Sequence, residues 1–442
     1  MGVFDLFKKE KVVVRVAPSP TGFLHIGTAR TMLFNYLFAK KHNGKIILRS
    51  EDTDKARSKS EHEEDIMSGL EWLGLTHDEF FRQSERNEIY EKYTKQLIDS
   101  GHAYVSKEEV KEEGQRAEVI RFKNPNKSIT FHDLIRGEIT FDTTELGDFI
   151  IARSISEPLY HLAVVIDDIE MGVTHIIRGE DHISNTPRQI LMIEAFGKGQ
   201  PDYAHIPLIF DDQKAKLSKR KHGELVSITY YKNNGYLPEA MVNYLALVGW
   251  NPGTEQEIFS MDELIEQFDL AKVQKGGAVF NPIKLKSINR HYIKQLPLGD
   301  IENRILEIRP ELDKEIIKKI TPLVAERLDT LSDIKTLFDQ GEFDYFFNAP
   351  KINNPEAIIW KKDTKENAVK HLEKVKQIIE NTENCSVEIM KYAEETGKGN
   401  VLWPLRYALS GREKSSDPFT ILGIIGKHES ISRILTATHL LS

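Results

Sequence analysis

The chain predicts an α/β fold, a doubly wound parallel sheet split by an inserted α+β module and followed by an all-α C-terminal part. Three observations carry this. Residues 15–28, R-V-A-P-S-P-T-G-F-L-H-I-G-T, join a β-rich run, Val12-Val13-Val14-Arg15-Val16, to a helical pattern through a turn. In that turn Pro18 and Pro20 fix φ, while Gly22 and Gly27 permit close backbone approach. Strand-like runs then alternate with helix-length stretches on either side of a β-patterned interruption. From about residue 300 only the helical period remains, as in Ala368, Leu372, Val375 and Ile379, or Ile421, Ile424 and Ile425.

Taken in order, the first junction reads strand, turn, helix start. In a parallel sheet this places free backbone N–H groups and the positive end of a helix dipole outside the carboxyl end of a strand, where an anion sits. His25 and Ser19 add side-chain donors there. Ala29, Leu33, Tyr36, Leu37 and Lys40 keep helical spacing, and Asn43-Gly44 supplies a left-handed stop. A strand over residues 45–50 delivers the acidic cluster Glu51-Asp52-Thr53-Asp54. Ser60 and Glu63 have capping-box spacing ahead of a helix that closes at Leu73-Gly74, and a second helix runs from about Ser84 to Ser100-Gly101.

From Ala103 to about Glu157 the alternation is short and β-like, through Phe131, Ile135, Ile139 and Phe141 to a strand at 149–153, which reads as an inserted module. The α/β rhythm resumes at 160–168, followed by a strand over 174–178 and a helix from Thr186, with Pro187 in its first turn, to Phe196-Gly197. A further strand over 206–210 leads into the basic loop Lys216-Leu217-Ser218-Lys219-Arg220. Beyond Gly223 the chain reads as helical, with Leu245, Leu247, Val248 and Trp250 ending one helix. Residues 272–294 hold Lys272, Lys275, Lys284, Lys286, Arg290 and Lys294 without an acidic residue. Asn251-Pro252-Gly253-Thr254 and Ala349-Pro350 are weak linkers, so the domains are expected to pack.

A length of 442 residues suggests roughly three or four domains. Sixty Lys plus Arg against 68 Asp plus Glu gives a net charge of −8, so any contact with nucleic acid has to be local. The lone Cys385 excludes an intrachain disulfide framework and a cysteine-based zinc site. Asp5, Lys8, Lys9 and Glu10 interrupt any apolar run of signal-peptide length, and Leu6 stands where a myristoylation signal beginning at Gly2 needs Ser or Thr. No run of about eighteen apolar residues occurs. A cytoplasmic protein without membrane association is expected.

The turn at 18–28 and the loop at 216–220 are both phosphate-facing in character, yet neither is a Walker loop or a GxGxxG turn. Reaction at an α-phosphate asks for in-line positioning and positive charge where the phosphorus centre and the leaving pyrophosphate become more negative. His25 and Lys219 can supply that. Alone, the lysine loop reads equally well as a solvated basic turn.

Together, residues 15–27, the run Leu48-Arg-Ser-Glu-Asp-Thr-Asp54, the stretch Thr174-His-Ile-Ile-Arg-Gly-Glu-Asp-His-Ile-Ser-Asn-Thr-Pro187 and Lys216-Leu-Ser-Lys-Arg220 resemble the bacterial glutamyl-tRNA synthetases. Trp403-Pro-Leu-Arg-Tyr-Ala-Leu-Ser-Gly411 and Leu422-Gly-Ile-Ile-Gly426 extend the likeness almost to the end of the chain. The resemblance implies a Rossmann-type class I synthetase that forms glutamyl-adenylate from L-glutamate and ATP and esterifies tRNA-Glu, tRNA-Gln or both. Mg²⁺ would accompany the ATP, and a monomer is implied. His25 and Lys219 are then the catalytic residues. Pro18, His25, Gly27, Thr28, Asp181, Lys216, Ser218 and Lys219 match the ATP-binding positions. Arg15, Ala17, Ser19, Glu51, Tyr160 and Arg178 match positions that hold the amino acid, in keeping with arginine's bidentate grip on carboxylates and a carboxylate's attraction for ammonium.

The implied division is a catalytic domain in two halves, 1–100 and 158–222, an acceptor-end-binding module at 101–157, a stem-contact linker domain at 223–299 and a helical anticodon-binding domain at 300–442. Lys272, Lys275, Lys284, Lys286 and Arg290 are candidates for tRNA backbone contact; Trp403 and Arg406 read as packing and surface residues. The chain departs from the family at Thr28, which stands in place of a second histidine or glycine, at the additional Lys221, and at Val164, where some relatives have a polar residue. It also has Val105-Ser106-Lys107-Glu108 where some relatives have zinc-binding cysteines, so no structural zinc and no other protein-held metal are expected. The alternatives are a catalytically silent or regulatory tRNA-binding homologue, disfavoured by the presence of His25, Glu51, Arg178 and Lys219, and synthetase-like glutamyl transfer to a modified tRNA base, disfavoured by the helical tail.

Overall fold

The computed structural model describes residues 11–108 and 118–442, so the readings made on residues 1–10 lie outside the described residues, as does the 109–117 part of the inserted module. Two compact units result, Met1–Asn289 and Arg290–Ser442.

The first unit is organised on β1 (Val13–Val16), flanked in parallel by β2 (Lys45–Ser50) and by β10 (His175–Gly179). Val14 and Val16 are buried, as are Ile46 to Leu48 on β2, because helices cover both faces of such a sheet and leave no solvated side. Helix α1 (Ile26–Lys41) makes the first crossover; Asn43, at φ 51°, turns the chain out of it. Helices α2 (Ser60–Trp72) and α5 (Thr186–Ala195) make two later crossovers, while α3 (Asn87–Asp99) and α4 (Tyr160–Glu170) lead from this sheet into the 101–157 stretch and back.

The seven-stranded sheet has the order β3-β2-β1-β10-β11-β6-β7, with β3 spanning Glu79–Arg82, β11 Asp202–Ile206, β6 Ser128–Asp133 and β7 Gly137–Asp142. Only β7 runs antiparallel to its neighbour. Strands β6 and β7 belong to the 101–157 stretch, so part of the insertion extends the seven-stranded sheet. Its remaining strands, β4 (Ala103–Lys107), β5 (Glu118–Phe122), β8 (Phe149–Ser154) and β9 (Glu157–Pro158), form a separate antiparallel sheet. The helical content expected of this module is limited, among the described residues, to the 3₁₀ turn Thr144–Leu146.

Several local expectations are corrected. Ser60 and Glu63 do not form a capping box: the N-cap is Lys59, and the Glu63 carboxylate is drawn to Arg82, 2.7 Å away on β3. The strand expected over 206–210 is two strands. Pro207 has no N–H to continue the ladder, so β11 stops at Ile206, and β12 (Ile209–Phe210) pairs with β13 (Ala278–Val279) in another sheet. That same β13 interrupts the helical stretch expected beyond Gly223. The helix read through Trp250 ends at Leu247.

The second unit is all helical. Ala368, Leu372, Val375 and Ile379 on the helix Lys365–Asn381 are fully buried. Ile421 is buried too, but Ile424 and Ile425 are half-buried, because Gly426 at φ 82° breaks the helical path there. Trp403 packs: its ring lies 5.0 Å from that of Trp360, and its indole N–H donates to the Ala357 carbonyl. Among the described residues no helix is long and apolar enough to cross a membrane.

A Cβ on Gly44 would sit 2.6 Å from the Val12 carbonyl oxygen, which accepts the Lys45 N–H at 2.8 Å. That backbone atom cannot give way without opening the join between β1 and β2. Gly44→Ala is therefore expected to lower the unfolding free energy by about 1–3 kcal/mol in urea denaturation.

Candidate active site

A cleft of about 630 Å³ opens at the carboxyl ends of β1, β2 and β10, where the strand order reverses. Arg15, Ala17, Ser19, Glu51, Tyr160 and Arg178 all line it, together with Pro18, His25, Gly27, Thr28, Asp181 and Lys216. Ser218 and Lys219 do not.

The turn leaving β1 is pinned from several sides. Glu51 N–H donates to the Pro18 carbonyl at 3.0 Å and the Ser19 hydroxyl to the Glu51 carbonyl at 3.1 Å, tying it to the end of β2. Asp65 on α2 accepts the Leu24 N–H at 2.6 Å. His25 is the N-cap of α1, its Nδ1 accepting the Gly27 N–H at 2.9 Å. That bond leaves the ring proton on Nε2, so a neutral His25 offers a donor at the helix's positive end. Burial, and then Lys216 and His222 nearby, hold the imidazole below its usual range and keep it neutral.

Beneath the cleft lies a buried lattice of charge. Arg49, with no exposed surface, reaches Asp168 at 2.7 Å and comes within 3.5 Å of Glu51 and 3.6 Å of Asp167. Asp168 also accepts from Arg15 Nε, at 3.3 Å and 3.4 Å for its two oxygens. Asp167 is closed off by Tyr90 at 3.0 Å, Gln83 at 2.8 Å and Arg86 at 2.7 Å. Burial pushes the Asp168 carboxyl up, but Arg15 and Arg49 outweigh it and hold it below the ordinary carboxylate range. At Glu51 the balance is opposite: burial, aided by Asp168 and Asp167 and opposed by Arg49 and Arg15, pushes the carboxyl up to about 7. Arg178 sits among other partners, its three nitrogens donating to His205 at 3.2 Å, Gln189 at 2.8 Å and Thr186 at 2.7 Å.

The basic loop is tethered to protein. Lys216 pairs with Asp181 at 2.9 Å. Lys219 opens the short helix α6 (Lys219–His222), with its ammonium 4.6 Å from the centre of the Phe23 ring. Asp211 accepts from Lys221 at 2.7 Å and from His222 at 2.9 Å, so the additional Lys221 latches the loop. In the basic segment, acids from elsewhere in the chain have moved in: Lys284 pairs with Glu257 at 2.6 Å, Arg290 lies 3.7 Å from Asp329, and Lys272 donates to the Pro252 carbonyl at 2.7 Å. Lys275 and Lys286 are exposed. Val164 is buried and does not line the cleft.

Arg49, Asp167, Asp168, His205 and Asp133 were not singled out from the sequence. A signal existed for the first three, since Ile46-Ile47-Leu48-Arg49 and Val164-Val165-Ile166-Asp167-Asp168 each place charge directly after a run long enough to be buried.

Residues 11–115 and 106–287 match the family of tRNA synthetases class I (E and Q), catalytic domain, and residues 292–438 match an anticodon binding domain. The chain is 40% identical to a glutamate–tRNA ligase of Aquifex aeolicus, over 98% of this chain and 100% of the relative. It is 38% identical to one of Carboxydothermus hydrogenoformans, over 96% and 99%. A crystal structure of a glutamate tRNA ligase from Elizabethkingia meningosepticum, in complex with its amino acid, superposes with a TM-score of 0.87 at 35% identity, covering 98% of this chain and 100% of that one.

Removing one acid from the buried lattice leaves Arg15 and Arg49 short of a counter-charge. Asp168→Asn is expected to lower the unfolding free energy by about 3 kcal/mol or more in urea denaturation.

Proposed function

Since this chain belongs to the glutamate–tRNA ligases of the class I synthetases, we propose that its cleft divides one reaction between two sets of side chains. The protein activates L-glutamate with ATP to glutamyl-adenylate and transfers the glutamyl group to tRNA. Arg15 and Arg178 hold carboxylate oxygens of glutamate, Glu51 takes its ammonium, and Ala17, Ser19 and Tyr160 shape the same end. Pro18, Gly27, Thr28, Asp181 and Ser218 contact ATP. His25 donates from Nε2 to its phosphates at the N-terminus of α1.

An oxygen of the glutamate α-carboxylate attacks the α-phosphorus in line, and pyrophosphate leaves. The hydroxyl of the terminal adenosine then attacks the activated carbonyl, and AMP leaves. Lys216 and Lys219 meet the charge on the departing pyrophosphate, which requires Lys216 to exchange Asp181, and Lys219 the Phe23 ring, for phosphate oxygens. The observation that carries this reading is the meeting, in one cleft, of Arg15, Arg178 and Glu51 with His25 at a helix N-terminus.

Mg²⁺ bound with ATP supplies further positive charge at the phosphates. As a hard cation that prefers oxygen ligands, the ion would be carried by phosphate oxygens of the ATP. No structural zinc is proposed, since Val105, Ser106, Lys107 and Glu108 supply no thiolate.

The division of labour follows the boundaries read from sequence, with 1–100 and 158–222 catalytic, 101–157 at the tRNA acceptor end, 223–299 on the stem and 300–442 on the anticodon. Lys272, Lys275, Lys284 and Lys286 are proposed to contact the tRNA backbone, as is Arg290 in the second unit; Lys284 and Arg290 would exchange their acidic partners for phosphate. The enzyme is proposed to act in the cytoplasm as a monomer, since one chain supplies every residue named for the cleft. Charging of separated tRNA-Glu and tRNA-Gln with labelled glutamate assigns the acceptor.

ATP–pyrophosphate exchange with glutamate and tRNA tests the assignments. Lys219→Ala is expected to slow exchange by about 100-fold or more while tRNA binding is unchanged, and unaltered exchange would remove Lys219 from its role. Glu51 adds a pH test. Only its ionised form attracts ammonium, and its pKa is pushed up to about 7 before substrate binds. The glutamate KM should therefore be level above neutrality and rise by up to about tenfold per pH unit below it, a slope that Glu51→Gln abolishes.

A further inference from the structure

Behind the amino-acid end of the cleft, a line of buried contacts crosses three strands. Arg178 on β10 and His205 on β11 are cross-strand neighbours in the parallel register, as are Tyr203 on β11 and Asp133 on β6. Arg178 Nε lies 3.2 Å from His205 Nε2, and His205 Nδ1 lies 2.7 Å from Asp133 Oδ2. A guanidinium only donates, so Nε2 of His205 is the lone-pair nitrogen and its proton resides on Nδ1, donated to Asp133. Asp133 is itself fixed by the backbone N–H groups of Ile135 at 3.0 Å, Arg136 at 2.8 Å and His205 at 3.0 Å. It thereby holds the ring in one tautomer and one plane. His205 and Asp133 are fully buried and neither lines the cleft, so neither touches substrate.

The other acceptors around Arg178 are the Gln189 and Thr186 side chains and, at 3.5 Å, the His182 carbonyl, all neutral like His205. Together they take Nε–H, one N–H of Nη1 and both of Nη2, and leave the second N–H of Nη1 for a ligand. No carboxylate among the described residues forms an ion pair with it, whereas Arg15 shares its charge with Asp168. A carboxylate in place of His205 would compete with an anionic substrate for the guanidinium. A neutral acceptor orients the group and leaves its charge uncompensated.

We propose that His205, held in a single tautomer by Asp133, is a positioning residue that aims Arg178 at a carboxylate of glutamate while keeping the arginine's charge available to it. This rests on the reading of Arg178 as a glutamate-binding group. The test compares full-length His205→Gln, His205→Asn, Arg178→Lys and the double variant His205→Asn/Arg178→Lys, with glutamate titrated in the exchange assay at saturating ATP and tRNA. A glutamine amide oxygen reaches the place of Nε2, and an asparagine's does not.

His205→Gln is expected to keep the glutamate KM within about threefold, and His205→Asn to raise it about tenfold with the ATP KM unchanged. In the Arg178→Lys background the asparagine should add less than about twofold, because the group it positions is gone. A merely structural role would reduce the active fraction, and hence kcat, without moving KM. If His205→Asn does not fold, Asp133→Asn, which releases the tautomer, replaces it in the same cycle with the same expectations. An unchanged glutamate KM, or independent effects in the double variant, overturns the proposal. An unchanged glutamate KM in Arg178→Lys overturns instead the reading of Arg178 itself.

Discussion

The structure depends on a constraint set by burial. Ionised side chains on the inner strands of a parallel sheet are out of reach of water, and each left unpaired costs several kcal/mol. Arg15 on β1 and Arg49 on β2 are both in that position, the latter with no exposed surface at all. Asp167 and Asp168, consecutive on α4, answer them, and Tyr90, Gln83 and Arg86 complete the surroundings of Asp167. The register of β1 against β2 and the rotation of α4 are thus fixed by charge as well as by apolar packing. With those elements fixed, the turn after β1, Glu51 and the N-terminus of α1 have little freedom left.

Three charged groups at the amino-acid end sit in different electrostatic settings. Arg15 is half committed to Asp168, Arg178 is oriented by neutral acceptors, and Glu51 is lifted to a pKa of about 7. The glutamate site proposed here draws on all three. On that proposal, glutamate would add an ammonium near Glu51 and a carboxylate near the arginines, and so complete a balance that the free cleft leaves open. At the ATP end the arrangement is looser. The basic loop rests on Asp181, Asp211 and the Phe23 ring; the contacts of Lys216 with Asp181 and of Lys219 with Phe23 lie at the surface, where exchange for phosphate oxygens is inexpensive.

Much of this was legible in the sequence, because the site lies where strands end, and strand ends are punctuated. Pro18, Pro20, Gly27, the Asn43 stop and the charge following each apolar run mark the edges of β1, α1 and β2 with local chemistry. What was not legible depends on partners distant in sequence. Glu63 had the spacing of a capping residue but was taken by Arg82 across a strand, β3, that the pattern did not reveal. Residues 206–210 read as one strand until Pro207 divided it between two sheets. The acid-free stretch at 272–294 looked openly basic, yet Glu257 and Asp329 fold onto it. His205 and Asp133 carry no local signature, since their meaning arises only when β6, from the insertion, joins β11.

On the proposed reading, Arg15, held by the buried charge lattice, and Arg178, held by neutral acceptors, read a carboxylate of glutamate as a charge. The most direct measurement is the ratio of kcat/KM for L-glutamate to that for L-glutamine in ATP–pyrophosphate exchange with tRNA present. Glutamine has nearly the same shape but no side-chain charge, so it would leave a desolvated guanidinium unanswered, and a ratio of about a thousand or more is expected. A ratio below about ten would contradict it, because shape alone would then explain the choice of substrate.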